Sequence, residues 1–497
     1  MLRTALTFWL TVAACSDGPH ETLDRDPPHS SHVTSPETEP PTSATSATSS
    51  ADLEVVSADC TILEHNALRA DCVVSLTRAA PVEWWVHEAE TDRTMRFTSA
   101  LESTDHTVPI TLLPAGSSLT WEVHLLDTPS PKGPLWEGTL EVPRPPPAAD
   151  LQIDRDPSSD AQTPWVLGNM GCEGGYALVL DPEGRVVWYE QLVETFPGGV
   201  LSVRWTEEET ILAVVGHDRL VEVDLHGETR FEAVQGTDFT HPIHHDATRW
   251  NGWTYTLHAQ LWSGPDESFV VDGLTVFDDT GELWTERSLA EWIEPAGEPP
   301  LVSLYWLTTW GSTTDWFHAN GMDLNAEGEL LLTLRHQSTL AAFEGDPASA
   351  DFGLPLWHVV GDANALIPEG LALESDPGSE IPVGYEGPHS PRYTEQGVLL
   401  LDNQASGRLD PRGLALRVSP EDDTATLEQA WSVPETCVYQ GGASPLQDGH
   451  VLITCGKYWF ELNDEGDIVD QVTPSCDHGS VHYPSRAEPI ATPSLVQ

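Results

Sequence analysis

Leu178-Val179-Leu180-Asp181-Pro182-Glu183-Gly184-Arg185-Val186-Val187-Trp188 sets two apolar runs of strand length on either side of an acidic turn that contains glycine. That pattern reads as two adjacent strands and their turn. Looser copies centre on Val223-Asp224-Leu225-His226-Gly227, on Phe277-Asp278-Asp279-Thr280-Gly281-Glu282-Leu283-Trp284 and on Glu461-Leu462-Asn463-Asp464-Glu465-Gly466-Asp467-Ile468. The segment from Gly328 to Trp357 supplies another with an insertion, and a degenerate copy lies around Val418 to Trp431. About six units near blade spacing, stretched by loops, predict an all-β chain whose residues 150–480 form a six-bladed β-propeller. The 19 tryptophans suit blades that pack face to face. Helical periodicity is scarce, with Leu289 to Ile293 as one short candidate.

Upstream, Cys72-Val73-Val74-Ser75-Leu76, Val82-Glu83-Trp84-Trp85-Val86 and Leu119 to Leu125 alternate with strand period. Residues 52–146 therefore predict a β-sandwich of immunoglobulin or fibronectin type. Pro143-Arg144-Pro145-Pro146-Pro147 marks a stiff linker, and residues 481–497 follow the propeller as a tail. Residues 15–51 are rich in Ser, Thr, Pro and acids, too polar to pack, and read as a tether. Residues 1–14 read as a signal peptide ending in the lipobox Val12-Ala13-Ala14-Cys15, with Cys15 as the lipidated residue. This predicts a cell-envelope lipoprotein whose contact with the membrane is its lipid anchor. Ser16 after the cysteine leans toward the outer membrane, on its periplasmic or surface side.

Seven cysteines leave six once Cys15 is set apart, an even number that suits disulfides in an exported chain. Cys60–Cys72, Cys437–Cys455 and Cys172–Cys476 are the plausible pairs. No Cys-x-x-Cys appears, so zinc is disfavoured. The formal net charge is -57, and lysine is confined to Lys132 and Lys457. Such a surface excludes nucleic acid as a partner. It also means that any anion site must be built locally.

Candidates for such a site recur at strand heads: His244-His245-Asp246, His318-Ala319-Asn320 and Pro388-His389-Ser390-Pro391-Arg392. In a propeller these heads converge on one mouth of the channel. Arg335 ends an inner apolar run, where a guanidinium is costly unless an anion or carboxylate meets it. Any one channel histidine is as readily a hydrogen-bonded wall residue. Several imidazoles with an arginine suit nucleophilic or proton-transfer chemistry on a sulfuryl or phosphoryl group. No magnesium-type acidic cluster and no Walker pattern accompany them, so nucleotide-dependent phosphoryl transfer is disfavoured; no metal and no cofactor are expected. Counting back from the turn glycine puts His244, rather than His245, in phase with His389, and both stay candidates.

His244-His245-Asp246 before Asn251-Gly252, Asp315-Trp316-Phe317-His318-Ala319-Asn320 and Leu334-Arg335-His336-Gln337-Ser338 together resemble motifs of the bacterial aryl-sulfate sulfotransferases. The likeness spans roughly residues 160 to 470. It implies sulfuryl transfer from an aryl sulfate ester to a phenol, without the nucleotide sulfate donor, by a ping-pong route through a sulfohistidine. By position, the resemblance makes His389 the nucleophile. It gives His245, His318 and Arg335 the sulfuryl oxygens, and makes Asn320 a hydrogen-bond donor with Thr454 a weaker candidate for that role. His244 joins the substrate-binding set. The competing expectation is a non-catalytic propeller lipoprotein that binds or scaffolds. A quinoprotein-like dehydrogenase ranks third, lacking a recognisable calcium site and stacking platform.

Overall fold

The computed structural model describes residues 53–126, 133–144, 151–170, 174–193, 199–263, 268–295, 301–302, 305–311, 313–361, 367, 370–375, 381–404, 407, 410–437, 440–476 and 486–496. The expected signal segment, Cys15 and the tether lie outside them, as does Cys172. The described chain is all-β, in mainly antiparallel sheets, with helices limited to single turns. The short helix expected at Leu289 is one 3-10 turn, Leu289–Glu291, capped by the Ser288 side chain, which accepts from Ala290 N–H.

Five strands form the N-terminal sheet: Val55–Ile62, Ala70–Glu88, Arg93–Ile110, Ser118–Leu125 and Trp136–Glu141. Ala70–Glu88 changes partners along its length. Its first half pairs with Val55–Ile62 and its second with Ser118–Leu125. The register slips between Ser75 and Ala80, as bulges allow where a strand bends. Cys72, Val74, Leu76, Val82, Trp84 and Val86 all point inward, as period-two patterning demands. Cys60 and Cys72 are disulfide-bonded, as are Cys437 and Cys455. Cys476 is also disulfide-bonded.

Six further sheets run from residue 151 to residue 490. Their first strands are Val200–Trp205, Ile243–Trp250, Ala319–Leu324, Pro388–Thr394, Gly442–Pro445 and Ala487–Ile490. Each lies against the next, and Ala487–Ile490 lies against Val200–Trp205, so they close a ring. The ends of this region exchange strands. Leu151–Arg155 pairs with Ile468–Cys476, and Ala487–Ile490 pairs with Trp165–Met170. Residues 487–490, expected in a tail, are thus an inner strand. The sequence repeat gives no sign of this, because the strand is short and stands apart from its own sheet in the chain.

The acidic turns explain the repeat. Asp181, Asp224 and Asp278 each fold the carboxylate back onto backbone N–H groups two and four residues ahead. Asn325 and Asn463 do the same for the N–H four residues ahead. The residue three positions on is Gly184, Gly227, Gly281, Gly328 or Gly466, each at positive φ between 78° and 86°. A side chain would be strained there.

Inside the ring lies Asp246, fully buried. Its carboxylate accepts from Arg204 Nε at 3.2 Å and Nη2 at 2.9 Å, and from Met322 N–H at 2.8 Å. Arg486 Nη1 stands 2.5 Å from it. Removing one member of a buried ionic set strands its partners in low dielectric. Asp246→Asn should therefore cost about 3–5 kcal/mol of unfolding free energy. Urea denaturation checks this, and a loss below about 1 kcal/mol would contradict it, being what a solvated ion pair gives.

Candidate active site

Four of the first strands slip register at corresponding places: Val200/Ser202, His244/Ala247, Ala319/Gly321 and His389/Arg392. Bulges insert a residue and re-aim its neighbours. His245 and Ser390 take left-handed backbone within their slips, at φ 55° and 51°, and His318 does so just before its own, at φ 51°. Such conformations cost about 1–3 kcal/mol each and gather at functional sites.

The bulges shape a small pocket lined by Leu201, His245, Tyr305, Asn320, His389, Gln440, Gly441 and Arg486. His244 pairs with Leu257 and His389 with Leu401, each at the residue before its bulge, so the two share a phase. Yet His245 lines the cavity and His244 stands behind it, because the bulge turns the added residue inward.

His389 Nδ1 lies 2.9 Å from the Gly387 carbonyl. That contact requires the proton on Nδ1 and leaves the lone pair on Nε2. Asn403, its amide nitrogen donating to the Cys437 and Gln440 carbonyls, flanks this ring. Burial, and then the Arg335 guanidinium, push His389 down to about 3. Burial and then His318 hold His245 well below the usual imidazole range.

His318 Nδ1 contacts Asp315 Oδ2 at 2.7 Å, and its ring is 5.0 Å from that of His245 and stacked 4.6 Å from His336. Burial followed by His336 and Arg335 lowers it too, despite the carboxylate. Arg335 was expected within a strand. It begins the 3-10 turn Arg335–Gln337, and its N–H donates to the His318 carbonyl at 3.2 Å. Neither His318 nor Arg335 is among the cavity-lining residues. Asn320 Oδ1 accepts from Thr333 Oγ1 at 2.8 Å, while its buried Nδ2 has no hydrogen-bond partner. Thr454 Oγ1 donates to the Gly442 carbonyl at 3.3 Å, next to cavity residue Gly441.

Sequence reasoning did not foresee Arg486 or Tyr305. Arg486 is buried, and its Nη2 donates to the Asn320 carbonyl at 2.7 Å. Its only sequence signal was an arginine in a chain with 22 basic residues. Tyr305 packs 4.7 Å from the His245 ring. Asp315, His318 and His336 bring three ligand-type atoms within 4.8 Å of one another. Two of those side chains are already hydrogen-bonded within the group, His318 to the Asp315 carboxylate and His336 to the Asp315 carbonyl, so we read it as a hydrogen-bonded network.

The motif-bearing part of the ring also matches a known family. Residues 165–350 match the family model described as Arylsulfotransferase (ASST). That stretch of the chain is thus similar to the arylsulfotransferase family. No curated protein matches the chain. Solved structures similar to it include a protein of unknown function from Bacteroides caccae, at 14% identity over 66% of this chain and 100% of that one, TM-score 0.38. A putative 6-phosphogluconolactonase from Bacteroides fragilis NCTC 9343 is 11% identical over 83% of this chain and 98% of its own, TM-score 0.34. Virginiamycin B lyase from Staphylococcus aureus is 8% identical over 66% and 99%, TM-score 0.29.

Burial keeps the imidazoles of His245, His318 and His389 uncharged. In a pH titration of histidine-labelled protein, the His389 ring signals should stay at their neutral positions down to about pH 3. A midpoint near the ordinary value of about 6.5 would contradict the site as described.

Proposed function

We propose that this chain is an aryl-sulfate sulfotransferase that passes a sulfuryl group from an aryl sulfate ester to a phenol through a sulfohistidine at His389, without a nucleotide donor. The family match over residues 165–350 supports a sulfotransferase-type enzyme with small-molecule substrates. One observation carries the finer reading: a buried, uncharged imidazole whose Nδ1 is held by a carbonyl lines a small pocket beside His245, Asn320 and Arg486. A neutral imidazole with its lone pair on Nε2 is a competent nucleophile.

In the donor step His389 Nε2 attacks sulfur, the sulfur–oxygen ester bond breaks, and the phenolate leaves with the electron pair. The acceptor oxygen then attacks the same sulfur and returns the pair to Nε2. Arg486, from the lining, and Arg335, close enough to His389 to depress it, stabilise the charge on the sulfuryl oxygens, while His318 stands beside His245 and His244 behind it. The unpartnered Asn320 Nδ2 donates to one oxygen, and Thr454 shapes the wall at Gly441. Donors fixed in a water-poor cavity act strongly on charge that develops on oxygen.

In this reading the ring of six sheets is a six-bladed propeller, and the N-terminal sheet is a sandwich folded on itself. Lipidation at Cys15 would hold the protein at the cell envelope.

Purified protein lacking residues 1–51 should release nitrophenol from p-nitrophenyl sulfate in a phenol-dependent manner, and His389→Ala should abolish release. Release that survives in His389→Ala would move the nucleophile elsewhere. A folded protein inert with several phenolic acceptors would overturn the assignment.

A further inference from the structure

We infer that Asp272, His244 and His245 form a relay in which His245 takes the proton of the incoming phenol, with His244 and Asp272 as positioning residues. This rests on the sulfuryl-transfer reading of the cavity and assigns a task that the reading leaves open. An un-ionised phenol is a poor nucleophile, so its proton must go somewhere as the new oxygen–sulfur bond forms.

The geometry selects His245 over its neighbours. His245 lines the cavity and His318 does not. His389 is committed to sulfur. His245 Nδ1 lies 2.8 Å from His244 Nδ1, and His244 Nε2 lies 3.1 Å from Asp272 Oδ1. Asp272 is fully buried, and its other oxygen accepts the Ala319 N–H at 2.9 Å, which fixes the carboxylate. One proton must sit between the two Nδ1 atoms. If His244 carries its own proton on Nε2, toward Asp272, its Nδ1 accepts from His245 and leaves the His245 lone pair on Nε2. An imidazole oriented through its second nitrogen by an acidic partner is the general arrangement for a positioned base. Here a second imidazole is interposed, which allows Asp272, two strands away in the same sheet, to act on a residue turned into the cavity by its bulge.

The step balances as follows. The phenol O–H bond breaks and its proton moves to His245 Nε2. The phenol oxygen bonds to sulfur as the sulfur–nitrogen bond to His389 breaks, and that electron pair returns to His389 Nε2. The His245 imidazolium keeps donating through Nδ1 to His244, which faces Asp272, and gives its proton to solvent as product leaves. Tyr305, His318, His389 and Arg486 also surround His245. None of them links it to a carboxylate as directly as His244 does.

The test uses the acceptor half-reaction of enzyme already sulfated by p-nitrophenyl sulfate. Asp272→Asn and His244→Gln are compared with wild type across phenols of falling pKa, from phenol to pentafluorophenol, which is ionised in the assay. A lost base support matters only where a proton must move. The rate deficit of each variant should therefore grow with acceptor pKa and be roughly tenfold larger for phenol than for pentafluorophenol. Deficits equal for all acceptors would overturn the relay while leaving the sulfotransferase intact. Wild-type protein that releases no nitrophenol would remove the transfer reading, and the relay with it. Should Asp272→Asn fail to fold, His244→Gln decides alone, since its glutamine keeps a hydrogen-bonding group beside His245 but cannot carry charge toward Asp272.

Discussion

The buried carboxylate of Asp246 is the constraint on which the centre of this molecule depends. It gathers Arg204, Arg486 and the Met322 N–H from three other segments of the chain. Isolated, any of these charges would be untenable in the interior. Together they tie the first strands of adjacent sheets, and they fix residues that border the cavity. His245 is the residue before Asp246, Asn320 is two before Met322, and Arg486 reaches the Asn320 carbonyl. The C-terminal strand Ala487–Ile490 follows directly on Arg486, so ring closure and construction of the site are one event.

The second device is the set of bulges. A regular strand would send alternate residues to opposite faces. The extra residue at each slip breaks that alternation and lets His245 and His389 both reach the cavity from dissimilar local sequences. Burial then keeps the imidazoles uncharged. The site's positive charge comes from Arg335 and Arg486, set within a chain of net charge -57.

Much of this was legible in the sequence. The Asp-x-x-Gly and Asn-x-x-Gly turns advertise themselves because only glycine suits their last position, and the all-β character follows from the apolar runs on either side. The disulfides Cys60–Cys72 and Cys437–Cys455 could be paired from strand proximity. His245, Asn320 and His389 were named and do converge. Three things were hidden for physical reasons. Bulge positions leave no compositional mark, so turn counting favoured His244 over His245. Arg486 lies beyond the last repeat and joins the site only through strand exchange. Asp246 sat within a quoted motif, but a carboxylate's role depends on which cations the fold brings to it.

The central claim is that His389 carries the sulfuryl group between two substrates. The most direct measurement is mass spectrometry of the protein after brief exposure to p-nitrophenyl sulfate without any acceptor, followed by peptide mapping under conditions that preserve nitrogen–sulfur bonds. The account predicts a gain of one sulfuryl group located on His389, discharged when phenol is added. Turnover in the presence of phenol with no modified His389 under these conditions would contradict it.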